Sequence, residues 1–267
     1  MSDSVAYGWL DLSGRVCVVT GAGSGIGFAV AEQLLQAGMR VAMLDKNIEG
    51  CEPLIDLYKE HALAVSADVA DEAAVNGFFS QVKTQFGNIY GLVNCAGFVR
   101  PAGLVDVEID EWNAVINTNL TGALICARNA IPQMIENGQG SLVHISSVAA
   151  LYPQTWSGAY SASKAGVTLM SRQLAAEHGA NGIRSNSICP GMIRTALSEK
   201  FYLVPGIEDK RKAMTASRRI GKPADIANTA AFLLSERSSY INGTELTVDG
   251  GMGSMLMDLI PRPGFSD

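Results

Sequence analysis

Arg15-Val16-Cys17-Val18-Val19-Thr20-Gly21-Ala22-Gly23-Ser24-Gly25-Ile26-Gly27 decides how this chain is read. Its first six residues form a short, mostly apolar run, the pattern of a strand buried on both faces. Glycines then alternate with other residues from 21 to 27, and residues 28–37 follow with a helical pattern ended by Gly38. A strand, a tight glycine turn and a helix N-terminus together make an anion site. Glycines let the backbone approach a phosphate, while free N–H groups and the helix dipole stabilise its charge. The next apolar run, Arg40-Val41-Ala42-Met43-Leu44, ends in Asp45. An acid about twenty residues past such a turn can accept hydrogen bonds from an adenosine ribose. A glycine-rich turn by itself is weak evidence, but strand, helix and downstream acid together make it strong.

Outward from this unit the pattern keeps alternating. It predicts a helix over 47–60 despite Pro53, a strand over 62–67 ending at Asp68-Val69, and a helix over 71–86. A strand over 89–93 ends at Asn94, a long helix covers 110–134, and a strand covers 141–146. A helix over 157–178 precedes a strand over 183–189, which stops at Pro190-Gly191. A helix over 223–234 and a strand over 244–248 complete the series before Asp249-Gly250-Gly251. Such alternation with short connections predicts an α/β fold: a Rossmann-type, doubly wound parallel sheet with helices on both faces. No linker or repeat divides residues 1–267, so one domain is expected. Ligands of such sheets bind beyond the carboxyl ends of the strands. Gly21, Asp45, Asp68, Asn94, Ser146, Ser147, Pro190 and Gly191 are all expected there.

The chain has 267 residues, 48% of them hydrophobic, enough for one large domain with its own core. Its formal net charge is −6, and no basic run is long enough to read as a nucleic-acid footprint. Cys17, Cys51, Cys95, Cys126 and Cys189 are scattered, without a CxxC pair or a Cys/His cluster. Buried free thiols, no metal and a cytoplasmic setting are therefore expected. No apolar stretch is long enough to span a bilayer, and residues 1–12 do not read as a signal peptide.

A second constellation carries chemistry. Tyr160 and Lys164 stand four residues apart in the helical segment 157–178, so they share a face. A nearby ammonium favours the phenolate, lowering a pKa of about 10 and making Tyr160 a plausible proton-transfer group. Ser147 lies thirteen residues upstream, at the end of a strand. His144, inside that strand, reads as a structural histidine.

Together these residues resemble the classical short-chain dehydrogenase/reductase family. Thr20-Gly21-Ala22-Gly23-Ser24-Gly25-Ile26-Gly27 is similar to its Thr-Gly-x-x-x-Gly-x-Gly turn. Asn94-Cys95-Ala96-Gly97 is similar to its Asn-Asn-Ala-Gly element, with Cys95 replacing the second Asn. Asn119 sits where the family has a catalytic asparagine, and Ser147, Tyr160 and Lys164 complete the tetrad at family spacing. Pro190-Gly191-Met192-Ile193-Arg194-Thr195 resembles the segment that meets the nicotinamide carboxamide, and Val248-Asp249-Gly250-Gly251 the C-terminal signature. The resemblance covers roughly residues 12–251, leaving an apolar tail over 252–267.

The resemblance implies an oxidoreductase that interconverts a secondary alcohol and a ketone. Tyr160 would exchange the hydroxyl proton, Lys164 would hold the nicotinamide ribose, Ser147 would bond the substrate oxygen, and Asn119 would support a water path. Gly21, Ser24, Gly25, Ile26, Gly27, Asp45, Asp68, Val69, Asn94, Ala96, Gly97, Tyr160, Lys164, Pro190, Gly191, Ile193 and Thr195 would bind the cofactor. Asp45 favours NAD, because its carboxylate suits a 2′-OH and repels a 2′-phosphate, although Lys46 argues faintly the other way. The alternatives are an NADPH-dependent 3-oxoacyl thioester reductase and, more remotely, a non-catalytic dinucleotide-sensing protein. A sugar, polyol or hydroxylated ring fits the expected pocket walls at 98–101, 148–156 and 192–202. A homotetramer is implied by the family. The tail's large apolar residues are expected to pack on their own subunit or across an interface, with an extended end after Ile260.

Overall fold

The structure, a computed structural model, describes residues 8–261 and 264. Seven strands form one sheet: β1 (Val16–Thr20), β2 (Arg40–Asp45), β3 (Ala62–Ser66), β4 (Gly91–Asn94), β5 (Gly140–Ile145), β6 (Ile183–Pro190) and β7 (Glu245–Val248). Their order is β3-β2-β1-β4-β5-β6-β7, and every pairing is parallel. The order reverses direction between β1 and β4, which places a crevice above their carboxyl ends.

Alternate strand residues feed two cores. Cys17, Val19, Val41, Met43, Val93, Val143, Ile145 and Ile188 pack with α1 (Gly25–Gln36) and α9 (Pro223–Leu234). On the other face Val18, Ala42, Leu44, Leu92 and Leu142 meet Phe78, Phe79 and Val82 of α3 (Glu72–Phe86) and Ile125, Ala130 and Met134 of α5 (Gly122–Glu136). Leu174 of α6 (Tyr160–His178) joins that second core. Strands buried on both faces explain the near-continuous apolar runs of the sequence.

Three expected elements differ. The helix over 47–60 shrinks to α2 (Glu52–Tyr58) between short 3-10 turns, with Pro53 in its first turn, where a missing N–H costs least. The long helix over 110–134 is α4 (Ile109–Ile116) and α5 separated by a wide π turn, Asn117–Thr121. The stretch after Thr195, expected only as a lid-like wall, holds two short helices, α7 (Ala196–Tyr202) and α8 (Ile207–Ala213). Their many charges and few buried residues gave no apolar stripe to read.

Of the two packings expected for the tail, that on its own subunit is not found: none of its described apolar side chains is buried there. The tail forms short 3-10 turns at Met252–Ser254 and Leu256–Leu259, and Leu256, Met257, Leu259 and Ile260 are exposed on the subunit rather than packed on it. Backbone hydrogen bonds, the Gly253 N–H donated to an Asp249 carboxylate oxygen at 2.7 Å, and a loose ion pair between Arg218 and Asp258 at 4.0 Å hold it. The extended end expected after Ile260 lies largely outside the described residues.

Candidate functional site

A cleft of ≈ 460 Å³ opens above the carboxyl ends of the central strands. At one end, Thr20 leads into the glycine turn. Gly21 has φ +67°, and a Cβ there would come within 2.8 Å of the Ala96 backbone, so only glycine lets the turn approach the loop after β4. The Thr20 hydroxyl accepts from the backbone N–H groups of Cys95 and Ala96, at 3.1 and 3.2 Å, tying these two loops together. Ser24, Gly25, Ile26 and Gly27 bring the start of α1 to the same wall.

Asp45 ends β2 beside this turn. Its two carboxylate oxygens accept from the backbone N–H groups of Gly23 and Asn47, both at 2.9 Å. The neighbouring Lys46 turns instead to Asp68, 2.7 Å away. Burial tends to raise the Asp68 pKa, but hydrogen bonds from Lys46 and Ala70 outweigh it and hold the carboxyl below its ordinary value.

At the other end Ser147, Tyr160 and Lys164 converge. Tyr160 opens α6, so its ring stands at the cleft while the helix runs away beneath it. Ser147 follows β5, its hydroxyl accepts from the Ala149 N–H at 3.1 Å, and it stands close enough to Tyr160 to favour the phenolate. Lys164 is buried, and its Nζ donates to the Ile145 carbonyl at 2.8 Å. Two further bonds seat α6 on β5. The Ser146 hydroxyl donates to the Lys164 carbonyl, and it pairs with the Thr168 hydroxyl, both at 2.9 Å.

The electrostatics correct one expectation. Burial raises the Tyr160 phenol above its ordinary pKa, against the opposing effect of Ser147. Burial also brings the Lys164 ammonium down to about 8. Lys164 Nζ lies 5.8 Å from the Tyr160 ring centroid and is turned to Ile145. The i, i+4 spacing therefore puts the two groups in one site without making the ammonium the phenol's partner.

All but two of the residues expected from the sequence line this cleft. Gly21, Ser24, Gly25, Ile26, Gly27, Asp45, Asp68 and Val69 stand toward one end, and Ala96, Gly97, Ser147, Tyr160, Lys164, Pro190, Gly191, Ile193 and Thr195 line the remainder. Asn94 and Asn119 are not on its wall. Asn94 is the buried last residue of β4, and its amide nitrogen is engaged by the Ala123 carbonyl at 3.1 Å and His144 Nδ1 at 3.2 Å. Asn119, in the π turn, clamps Phe98: its Oδ1 accepts from the Phe98 N–H at 2.9 Å, while Nδ2 donates to the Phe98 carbonyl and the Ser163 hydroxyl at 3.0 Å. Its side chain thus fixes the loop after β4, and a Cβ added at Gly97 would meet both Asn119 Oδ1 at 3.0 Å and Lys164 Nζ at 3.2 Å.

Sequence reasoning passed over Thr118 as a lining residue, and it named Ser198 only within the wall at 192–202 and Lys46 only as the neighbour of Asp45. Thr118 belongs to the π turn and Ser198 to α7, the two elements that periodicity did not resolve. Cys95 also lines the cleft, its thiol pushed up to about 12 by burial, which leaves it a neutral wall rather than a nucleophile. Among the described residues no group of three His, Cys, Asp or Glu side chains could hold a metal ion, and no helix is long and apolar enough to cross a membrane.

Comparison with known proteins agrees with this arrangement. A family model described as enoyl-(acyl carrier protein) reductase matches residues 21–253. A D-threitol dehydrogenase of Mycolicibacterium smegmatis is 38% identical over 245 residues, covering 90% of this chain and 93% of its own. A 2,5-dichloro-2,5-cyclohexadiene-1,4-diol dehydrogenase of Sphingobium indicum is 32% identical over 243 residues, covering 90% and 96%. Among solved structures, a gluconate 5-dehydrogenase from Burkholderia cenocepacia, in complex with NADP and tartrate, superposes with a TM-score of 0.85 at 31% identity. That match covers 91% of this chain and 96% of the other.

Proposed function

Since the chain belongs to the short-chain dehydrogenase/reductase family, we propose that it is an NAD(H)-dependent dehydrogenase interconverting a secondary alcohol and a ketone. The observation that carries this reading is the convergence of Tyr160, Ser147 and Lys164 on a cleft whose far end holds the glycine turn and Asp45. The residues fit a dinucleotide: a turn that only glycine can make, an open helix N-terminus beside it, and an acid at the next strand end. When bound, the nicotinamide supplies or takes the hydride.

The protein's share is positioning and proton transfer. Tyr160 Oη takes the proton from the substrate hydroxyl during oxidation and returns it during ketone reduction. Ser147, beside Tyr160 on the cleft wall, is placed to hold the substrate oxygen next to it. Lys164 serves as a fixed cation at the ribose side, steadied by Ile145. Asn119 contributes by holding Phe98 and, with it, the shape of the cleft wall.

NAD is favoured because Asp45 is locked in place by two backbone N–H groups and Lys46 is drawn away to Asp68. A 2′-phosphate there would meet an anchored carboxylate. The substrate class favoured is a small diol, polyol or hydroxylated ring, supported by relatives named for threitol and for a cyclohexadiene diol. NADPH-dependent reduction of a 3-oxoacyl thioester is the second reading, supported by a 3-oxoacyl-[acyl-carrier-protein] reductase of Thermotoga maritima that is 36% identical over 250 residues. Exposed Leu124 and Ile135 on α5 and Leu169 on α6 support a homotetramer, and the free cysteines support a cytoplasmic setting. Nicotinamide absorbance, followed with alcohols and ketones and with each cofactor, tests the proposal. Turnover only with NADPH and oxoacyl thioesters would replace it with the second reading. No turnover with any substrate would remove both.

A further inference from the structure

Three adjacent strands carry polar side chains in a single register. Asn94 on β4 stands opposite His144 on β5, and His144 stands opposite Ser187 on β6. The row lies on the face covered by α5 and α6. Asn94 reaches the Ala123 carbonyl of α5, and Ser185, on the same face as Ser187, meets Ser171 of α6 with hydroxyl oxygens 2.9 Å apart. At the sheet edge Ser187 stands opposite Glu245, whose carboxylate pairs with Arg172 of α6. Asn94, His144 and Ser187 are all buried, and each leaves one polar atom without a hydrogen-bond partner: Asn94 Oδ1, His144 Nε2 and Ser187 Oγ.

The hydrogen bonds fix which ring nitrogen of His144 carries the proton. A backbone carbonyl only accepts, so the Asn94 atom facing Ala123 must be the amide nitrogen. The same nitrogen lies 3.2 Å from His144 Nδ1, which therefore accepts its second hydrogen. The proton of the neutral ring is then on Nε2. Burial, aided by the Lys164 ammonium, holds this imidazole neutral, with its pKa near 4. An N–H donor without an acceptor is costly in a dry core, and Ser187, opposite His144 on β6, also leaves its Oγ without a partner.

We infer that this row is a binding site for internal water, with a water molecule seated between His144 and Ser187. The water accepts from Nε2–H and shares a hydrogen bond with the Ser187 hydroxyl. Asn94 Oδ1, at the other end of the row, is a further acceptor of the same kind. Water suits the place because it both donates and accepts, and buried waters gather where several polar groups lack partners. The hydroxyls of the covering helix, Thr168 and Ser171, are already engaged by Ser146 and Ser185. The consequence is a hydrogen-bonded tie across β4, β5 and β6 beneath the helix that carries Tyr160 and Lys164. It keeps His144 uncharged next to Lys164.

The test uses full-length protein labelled with 15N-histidine, together with a high-resolution crystal structure. His144 is assigned against a His144→Asn variant, with exposed His61 and half-buried His178 as internal controls. The expected result is a His144 signal protonated at Nε2 that does not titrate between about pH 5.5 and 8, and a water peak within reach of both Nε2 and Ser187 Oγ. Ser187→Val should lose that water and melt lower by about 2–4 °C for each kcal/mol lost. A proton on Nδ1, an ordinary histidine titration, or a direct Nε2–Oγ contact with no water would overturn the inference. The parent protein's spectrum and density decide this whether or not the variant folds.

Discussion

At the glycine-turn end of the cleft, nearly every group is placed by backbone. Asp45 is held by two main-chain N–H groups, Thr20 by two more, and Gly21 by its contact with Ala96. The substrate side has a different construction. Beyond Ser147 and Tyr160 its surroundings come from exposed side chains on short elements. Tyr152 and Trp156 are exposed in the loop before α6, and α7 and α8 are tied through Arg194, which pairs with Glu199 at 2.7 Å and Glu208 at 3.2 Å. They are also tied through Arg211 of α8, which lies over the Phe201 and Tyr202 rings. In the proposed reading the first end would meet the part of a cofactor that does not vary. The second would meet the substrate, beside surface ion pairs that contribute about 0–1 kcal/mol each and can be rebuilt cheaply.

That contrast can be broken most forcefully at the junction of the two ends. Tyr160→Phe removes the proton-transfer oxygen and keeps the ring, so turnover should fall by about 10²–10⁴-fold while NADH binding, measured by fluorescence titration, stays nearly intact. Activity within a few-fold of the parent would take Tyr160 out of the mechanism. A smaller effect is expected at the rigid end. Asp45→Ala should narrow the ratio of kcat/KM for NAD over NADP by about 10–100-fold, the equivalent of one charged hydrogen bond at roughly 1.5–3 kcal/mol. A parent enzyme that prefers NADPH would show that Lys46 dominates despite its pairing with Asp68.

The framework beneath both ends should respond to acid. The His144 pKa is lowered to about 4 in the folded protein, against 6.5 as its ordinary value. The unfolded chain therefore binds this proton first, and stability present above pH 6.5 is lost as pH falls toward 4. Urea midpoints measured across that window should decline, and less steeply in His144→Asn. Equal slopes in the two proteins would mean that other groups govern acid stability.

The smallest effect is expected from the rim. Removing residues 255–267 takes away the exposed Leu256, Met257, Leu259 and Ile260. If the tail covers a partner subunit, light scattering should report a smaller assembly, or the melting temperature should drop by a few degrees at about 2–4 °C per kcal/mol. Unchanged size, melting temperature and KM would leave the tail without a structural role.

How much of this was legible in the sequence follows the same division. The alternation of strands and helices, the glycine turn and Asp45 could be read because backbone geometry restricts which residues can stand there. Asn94 and Asn119 were placed by motif at the cleft, yet their side chains turn away from its wall to bond Ala123, His144, Phe98 and Ser163. A motif records that an amide is needed, and only the fold shows which partners need it. The raised Tyr160 pKa escaped for a related reason, since helical spacing gives proximity but neither burial nor the pull of the Ile145 carbonyl on Lys164. Helices α7 and α8 lacked the apolar stripe that identifies a helix packed on a core.

The wide turn at Asn117–Thr121 carries one residue more than a regular helix would need. Deleting any single residue there would let α4 run straight into α5. The extra residue is absorbed in the bulge, so closing it would leave Ile125, Ala130 and Met134 of α5 facing the sheet. What would be lost is the outward step of the turn that sets Asn119 opposite Phe98 and Ser163. A frame-preserving single-codon deletion here is therefore expected to spare the fold and to disturb the loop after β4, an outcome that separates the turn's role in the cleft from any role in the core.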